Sequence, residues 1–116
     1  AVVNKLKESV ELNLEKFKER VKLNVGGVKF ETSLSTLHNF PETMLSTMFS
    51  GQEGINVPVD ADGYVFIDRS GEHFGLILDY LRTGELDLPL DTIAARSIQR
   101  ELKFYLLPIP VPAKDQ

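Results

Sequence analysis

Two adjacent glycines between alternating apolar residues, VKLNVGGVKFE at 21–31, constrain this chain more than any other feature. Val21, Leu23 and Val25 alternate with Lys22 and Asn24 before the pair, and Val28 and Phe30 alternate with Lys29 and Glu31 after it. A period of two marks a strand with one buried face. A two-residue hairpin turn needs positive φ, which Gly26 and Gly27 adopt without steric cost. Closing the turn there sets Val25 opposite Val28, Leu23 opposite Phe30 and Lys22 opposite Glu31. The apolar residues then share one face, and the Lys–Glu pair lies on the other. A phosphate-binding loop would need a further glycine, or a Gly-Lys-Ser/Thr ending, leading into a helix. Here a strand follows, so Gly26 and Gly27 are predicted to be structural turn residues.

The size and charge of the chain narrow what such a hairpin belongs to. With 116 residues, 42% hydrophobic and 26% charged, the chain suits one globular domain with a modest core. A formal net charge of −4 argues against nucleic acid as a partner, which calls for a basic face. The absence of cysteine excludes a disulfide framework and a cysteine-ligated zinc site. No apolar run approaches the roughly 18 residues of a membrane span, and no signal peptide is visible. The expected setting is the cytoplasm, with the nucleus also open, and no membrane contact by this segment. Neither end resembles a natural terminus, so a piece of a longer chain is expected.

Residues 1–19 have helix composition, rich in Lys, Glu and Leu without Gly or Pro. Val3, Leu6, Val10 and Phe17 fall near heptad spacing, but Asn13 interrupts the stripe. An oligomerising helix and a solvated linker helix both fit. After the hairpin, Ser33 or Ser35 can cap a short helix, and Pro41 can open a second one carrying Met44, Leu45, Met48 and Phe49, ended by Gly51. Its methionines suit core filling better than an adaptable binding face. Asp60-Ala61-Asp62-Gly63 has the look of a calcium loop but lacks the later acidic ligands, so an Asp-Gly turn before the strand YVFID is predicted. Ser70 or Asp68 can cap a helix whose residues Phe74, Ile77, Leu78 and Leu81 follow the i, i+3, i+4, i+7 pattern, with Gly84 at its end. ELDLP at 85–89 is predicted as a short strand. Asp91 caps a last helix running to about Tyr105, with Ala94, Ile98, Leu102 and Tyr105 inward. Pro108, Pro110 and Pro112 then stop regular structure in a Pro-rich tail, 110–116. The order predicts an α+β domain over 20–109 with a small, mostly antiparallel or mixed sheet and a cluster of helices.

Catalytic chemistry is missing from the pattern. There is no nucleophile elbow, no metal-spaced histidine pair and no cysteine nucleophile. His38 and His73 lie on different elements and are expected at the surface or at caps. The carboxylates are mostly interleaved with lysines, as on a solvated face. No enzyme activity, metal or cofactor is expected.

Taken in order, VKLNVGGVKFETSLSTL, TMLSTMFSG, DGYVFIDRSGEHFGLILDYLRTGEL and ELKFYLLP resemble the T1-type BTB/POZ domain. That domain occurs in KCTD proteins and in the cytoplasmic tetramerisation region of voltage-gated potassium channels. The resemblance covers about residues 20–109. TMFSG and GEHFGLILDYLRTG are closer to KCTD proteins, in particular to the subgroup that serves as cullin-3 adaptors toward small GTPases. The His/Cys zinc site of many channel domains cannot form without cysteine. The resemblance implies a homo-oligomer, pentamer or tetramer, built through a lateral interface with two different faces on each subunit. It implies cullin-3 as a partner, and a substrate protein bound through regions outside this chain. Carried over by position, Phe104 is similar to a KCTD aromatic at the cullin contact, with Leu88, Pro89, Leu90 and Asp91 nearby. Core packing is the other reading of Phe104. Lys22, Asn24, Lys29, Asp68 and Arg69 are candidates for the ring interface, although a polar sheet face can also be plain surface. The alternative function is a structural tetramerisation domain without cullin contact.

Overall fold

The computed structural model describes residues 19–51 and 57–110. The sequence expectations for the N-terminal helix and for 111–116 in the tail fall outside those residues. The hairpin forms as its alternation requires. β1 (Arg20–Val25) and β2 (Val28–Ser33) pair antiparallel with Val25 opposite Val28, Leu23 opposite Phe30 and Lys22 opposite Glu31. Gly26 and Gly27 hold φ of 59° and 101°, and the Asn24 side chain accepts from the Gly27 N–H at 2.8 Å. β3 (Tyr64–Ile67) joins the other edge of β1 in parallel, giving a mixed three-stranded sheet in the order β2-β1-β3. A parallel neighbour needs a long crossover. It is supplied by residues 34–63, which include the short helices α1 (Leu34–Leu37) and α2 (Met44–Met48).

One face of the sheet is the floor of the core. Val21, Leu23 and Val25 of β1 and Val65 and Ile67 of β3 are buried against α3 (Phe74–Thr83) and α4 (Thr92–Phe104). α3 presents the expected stripe, Phe74, Ile77, Leu78 and Leu81, and α4 presents Ile98 and Leu102, with Tyr105 completing it, whereas Ala94, also expected inward, is only partly buried in the first turn. At about 25 cal/mol per Å² of apolar surface, each such large side chain contributes roughly 1.5–3 kcal/mol on burial. Val28 departs from the expected single buried face: it is 46% exposed, because it stands at the turn on the edge strand. Phe30 is half-buried and begins an aromatic chain through Phe74 (5.0 Å) and Tyr105 (5.4 Å) to Phe104 (5.0 Å).

The loop after β3 tucks under the hairpin tip. The Gly26 N–H donates to the Ile67 carbonyl at 2.9 Å. A Cβ at Gly26 would collide with the Arg69 carbonyl, and one at Gly71 would collide with Val25 and Val28. Gly27 has open space around it, so its glycine answers to φ alone. The Asp60 side chain accepts from the N–H groups of Asp62 and Tyr64, both at 2.9 Å, which is the turn chemistry expected of Asp-Gly rather than a metal loop.

Several local expectations are corrected. ELDLP is not a strand: residues 85–89 run without ladder partners, and Leu86 and Leu88 lean instead on the core. An extended segment with two inward leucines satisfies the alternation without needing a sheet edge. α2 starts at Met44 after an N-cap Thr43, because residues 40–43 form a separate turn closed by the Thr43 hydroxyl donating to the Phe40 carbonyl at 2.6 Å. α3 is capped by neither Ser70 nor Asp68. His73 is its N-cap, and the Ser70 hydroxyl accepts from the Glu72 N–H within the preceding turn. His38 and His73 are both capping residues, as expected of them, and His38 does more than cap. It ends α1, and its ring bridges the Ser46 hydroxyl (3.0 Å) and the Phe49 carbonyl (3.1 Å), clamping α1 to α2. No helix among the described residues is long and apolar enough to cross a membrane.

Candidate partner-binding surface

α4 begins with Asp91, whose carboxylate accepts from the N–H groups of Ile93 (2.8 Å) and Ala94 (3.0 Å). This side-chain cap satisfies two of the orphan donors of the first turn. At the far end, Leu107 N–H donates to the Leu102 carbonyl (2.8 Å) and Leu106 N–H to the Lys103 carbonyl (3.2 Å). This is the Schellman pattern, with Leu106 at φ 60° in the position glycine usually takes. Phe104 lies on the last turn, 38% exposed, beside the buried Tyr105. The stripe of Ile98, Leu102 and Tyr105 already fills the inward face, so a residue 100° away from Tyr105 turns toward the rim.

The Phe104 ring is held in place. The Arg69 guanidinium lies 4.3 Å from its centroid, and the Tyr105 ring meets it in a T-shaped contact. Arg69 in turn makes a two-pronged ion pair with Glu101, Nε to Oε1 at 3.0 Å and Nη2 to Oε2 at 2.7 Å. The planar fork of arginine matches a carboxylate in this way and leaves its face free to stack. The hydrogen bonds to Glu101 hold the Arg69 pKa above its ordinary value, and burial pushes the Tyr105 hydroxyl up. The loop before α4 places Leu88 against the core, Pro89 at the surface, Leu90 fully exposed and Asp91 at the cap.

The outer face of the sheet carries the other candidates. Lys22 and Lys29 converge on the ring of Tyr64, at 5.5 and 4.8 Å from its centroid. Asn24 is engaged in the turn, and Glu31 pairs with Arg20 at 3.0 Å rather than with Lys22 opposite. Phe66 lies beside Asn24 on this face and is exposed. Asp68 is exposed, whereas Arg69 is occupied by Glu101 and lies away from this group. Three contributors, Glu101, Tyr64 and Phe66, are not among the residues expected from the sequence. Each meets its neighbours across the tertiary fold, where no helical or strand spacing betrays it.

The sequence model of the BTB/POZ domain matches residues 21–111. The BTB/POZ domain-containing protein KCTD21 of mouse (Mus musculus) and its human (Homo sapiens) counterpart are each 47% identical over 76 residues. Those residues are 66% of this chain but 28% of each relative, so the chain spans under a third of the length of these proteins. The mixed sheet, the helix cluster and these matches agree: the chain belongs to the BTB/POZ domain family, in the branch of the KCTD proteins, and is a protein-interaction and oligomerisation domain.

Proposed function

We propose that this domain assembles into a homo-oligomer and binds cullin-3 as the substrate-adaptor module of a ubiquitin ligase. The observation that carries the reading is the preformed aromatic at Phe104. A large ring left partly exposed and braced by a fixed cation loses little freedom on docking, which is the property of an energetic anchor at an interface. Fully exposed Leu90, in the loop before the N-cap of α4 and so at the opposite end of the helix from Phe104, gives a second apolar point. The Lys22–Lys29–Tyr64 cluster on the sheet face suits a lateral contact with a neighbouring subunit, where paired cations over a ring would meet carboxylates. A substrate protein would be held by regions beyond this segment.

The test is calorimetry of the purified domain with the N-terminal region of cullin-3. The domain is expected to bind, and Phe104→Ala to weaken binding by about 2 kcal/mol, roughly thirtyfold, with its melting midpoint little changed. If Phe104→Ala melts early, by the roughly 3–5 kcal/mol typical of a lost core Phe, the ring is a core element. If the unaltered domain does not bind cullin-3, the structural tetramerisation reading replaces the adaptor reading.

A further inference from the structure

Away from Phe104, α4 shows a second face. Ile93, Arg96, Arg100 and Lys103 follow one another at helical spacing along its exposed side. In a chain of net charge −4, this stripe has three cations and no carboxylate partner among the described residues. Arg20, Arg69 and Arg82, by contrast, each pair with an acid. Arg100 finds only the Ser97 hydroxyl, at 3.3 Å. The stripe lines an open groove of about 470 Å³ whose apolar ends are Ile93 and Ile109. Lys103 and Ile109 also line the adjoining groove, which contains Leu106. Leu106 is exposed at positive φ, where glycine would satisfy the backbone without strain. Such strain, of order 1–3 kcal/mol, is held here by the Schellman closure of α4. A leucine there keeps an apolar side chain at the rim of the groove.

From this arrangement we infer that the outer face of α4 is a docking groove for an acidic amphipathic helix of a partner protein, separate from the Phe104 anchor. From Ile93 to Lys103 the stripe runs about 15 Å at 1.5 Å per residue, the length of roughly three helical turns. A helix with carboxylates at i, i+4 and i+7 and a leucine at each end would set its acids against Arg96, Arg100 and Lys103. Its leucines would meet Ile93 at one end and Leu106 with Ile109 at the other. Charge complementarity selects this occupant. Three cations on one helix are too few for the many phosphate contacts that drive nucleic-acid binding.

The test is fluorescence anisotropy with a labelled synthetic helix carrying Glu at i, i+4 and i+7 and terminal leucines, against the same helix with Lys for Glu. The acidic helix is expected to bind, more weakly at 0.5 M than at 0.15 M salt, and the basic helix not to bind. R96E/R100E/K103E should weaken the acidic helix at least about tenfold, the combined effect of three exposed ion pairs. Ile93→Ala should weaken it several-fold while leaving its salt dependence in place. All these side chains are exposed, so melting curves should be unchanged. Phe104→Ala should leave this binding intact whether or not cullin-3 binds the unaltered domain, which keeps the two proposals separable. Equal binding of both helices, no loss in the triple variant, or stronger binding to anionic vesicles or single-stranded DNA than to the acidic helix would overturn the inference.

Discussion

Arg69 and Glu101 form one ion pair, yet removing one is expected to cost more than removing the other. The Glu101 side chain is 12% exposed and the Arg69 side chain 31%. Glu101→Ala leaves a guanidinium that water can still reach, so the loss is that of two charge-assisted hydrogen bonds, net about 1–2 kcal/mol. Arg69→Ala strands a carboxylate that is nearly enclosed beside Tyr105. Breaking a buried pair from one side costs about 3–5 kcal/mol, and the residual exposure here brings that to roughly 2–4 kcal/mol. The stacking of Arg69 on Phe104 adds to the Arg69→Ala loss, on the order of 0.5–1 kcal/mol. Chemical denaturation of both single variants and the double variant, at one fixed protomer concentration because assembly adds to stability, gives the three differences. The double variant should be less destabilised than the sum of the singles by about 1–2 kcal/mol. Equal costs for the two singles together with an additive double variant would refute this account and make the pair an ordinary surface contact.

At the hairpin, Gly26→Ala should cost more than Gly27→Ala. The first adds a collision with the Arg69 carbonyl to the strain of positive φ, about 1–3 kcal/mol for the strain alone, and the second adds strain only; thermal midpoints ranked the other way would contradict the close approach. Tyr105 buries a hydroxyl that makes no hydrogen bond among the described residues, so Tyr105→Phe should be neutral or stabilising by about 1 kcal/mol near pH 7. Burial raises the Tyr105 pKa in the folded state, so its contribution is present below the ordinary tyrosine value of about 10 and is lost as pH rises beyond it. Melts from pH 8 to 11 should therefore show unaltered protein losing more stability than Tyr105→Phe, and parallel curves would rule that out. Asp91→Ala should lower stability by about 0.5–2 kcal/mol through the lost α4 cap, read from the same melts.

What the sequence made legible is what depends on neighbours in the chain. The β1–β2 register follows from two-residue alternation around Gly26-Gly27, the inward stripes of α3 and α4 from three- and four-residue spacing, and the turn at Asp60 from side-chain chemistry two residues on. The errors have a common source. ELDLP alternates like a strand, but a strand needs an edge to pair with, and whether one is free is a property of the whole fold. Ser70 and Asp68 are good capping types, yet the turn that approaches Gly26 claims that stretch of chain. The site divides in the same way. That Phe104 leaves the inward stripe could be worked out on a helical wheel. Its bracing by Arg69, from the loop after β3, and by Glu101, a full turn away on its own helix, depends on the packing of that loop against α4. The convergence of Lys22 and Lys29 on Tyr64 likewise depends on β3 pairing parallel to β1, which no local signal announces.

Self-assembly is the property on which the rest of the account stands, and light scattering with size separation measures it directly. Across micromolar concentrations the protein should give a mass of several protomers of 13.0 kDa, in one defined species, as expected of a closed ring. A mass of 13.0 kDa at every concentration would contradict it.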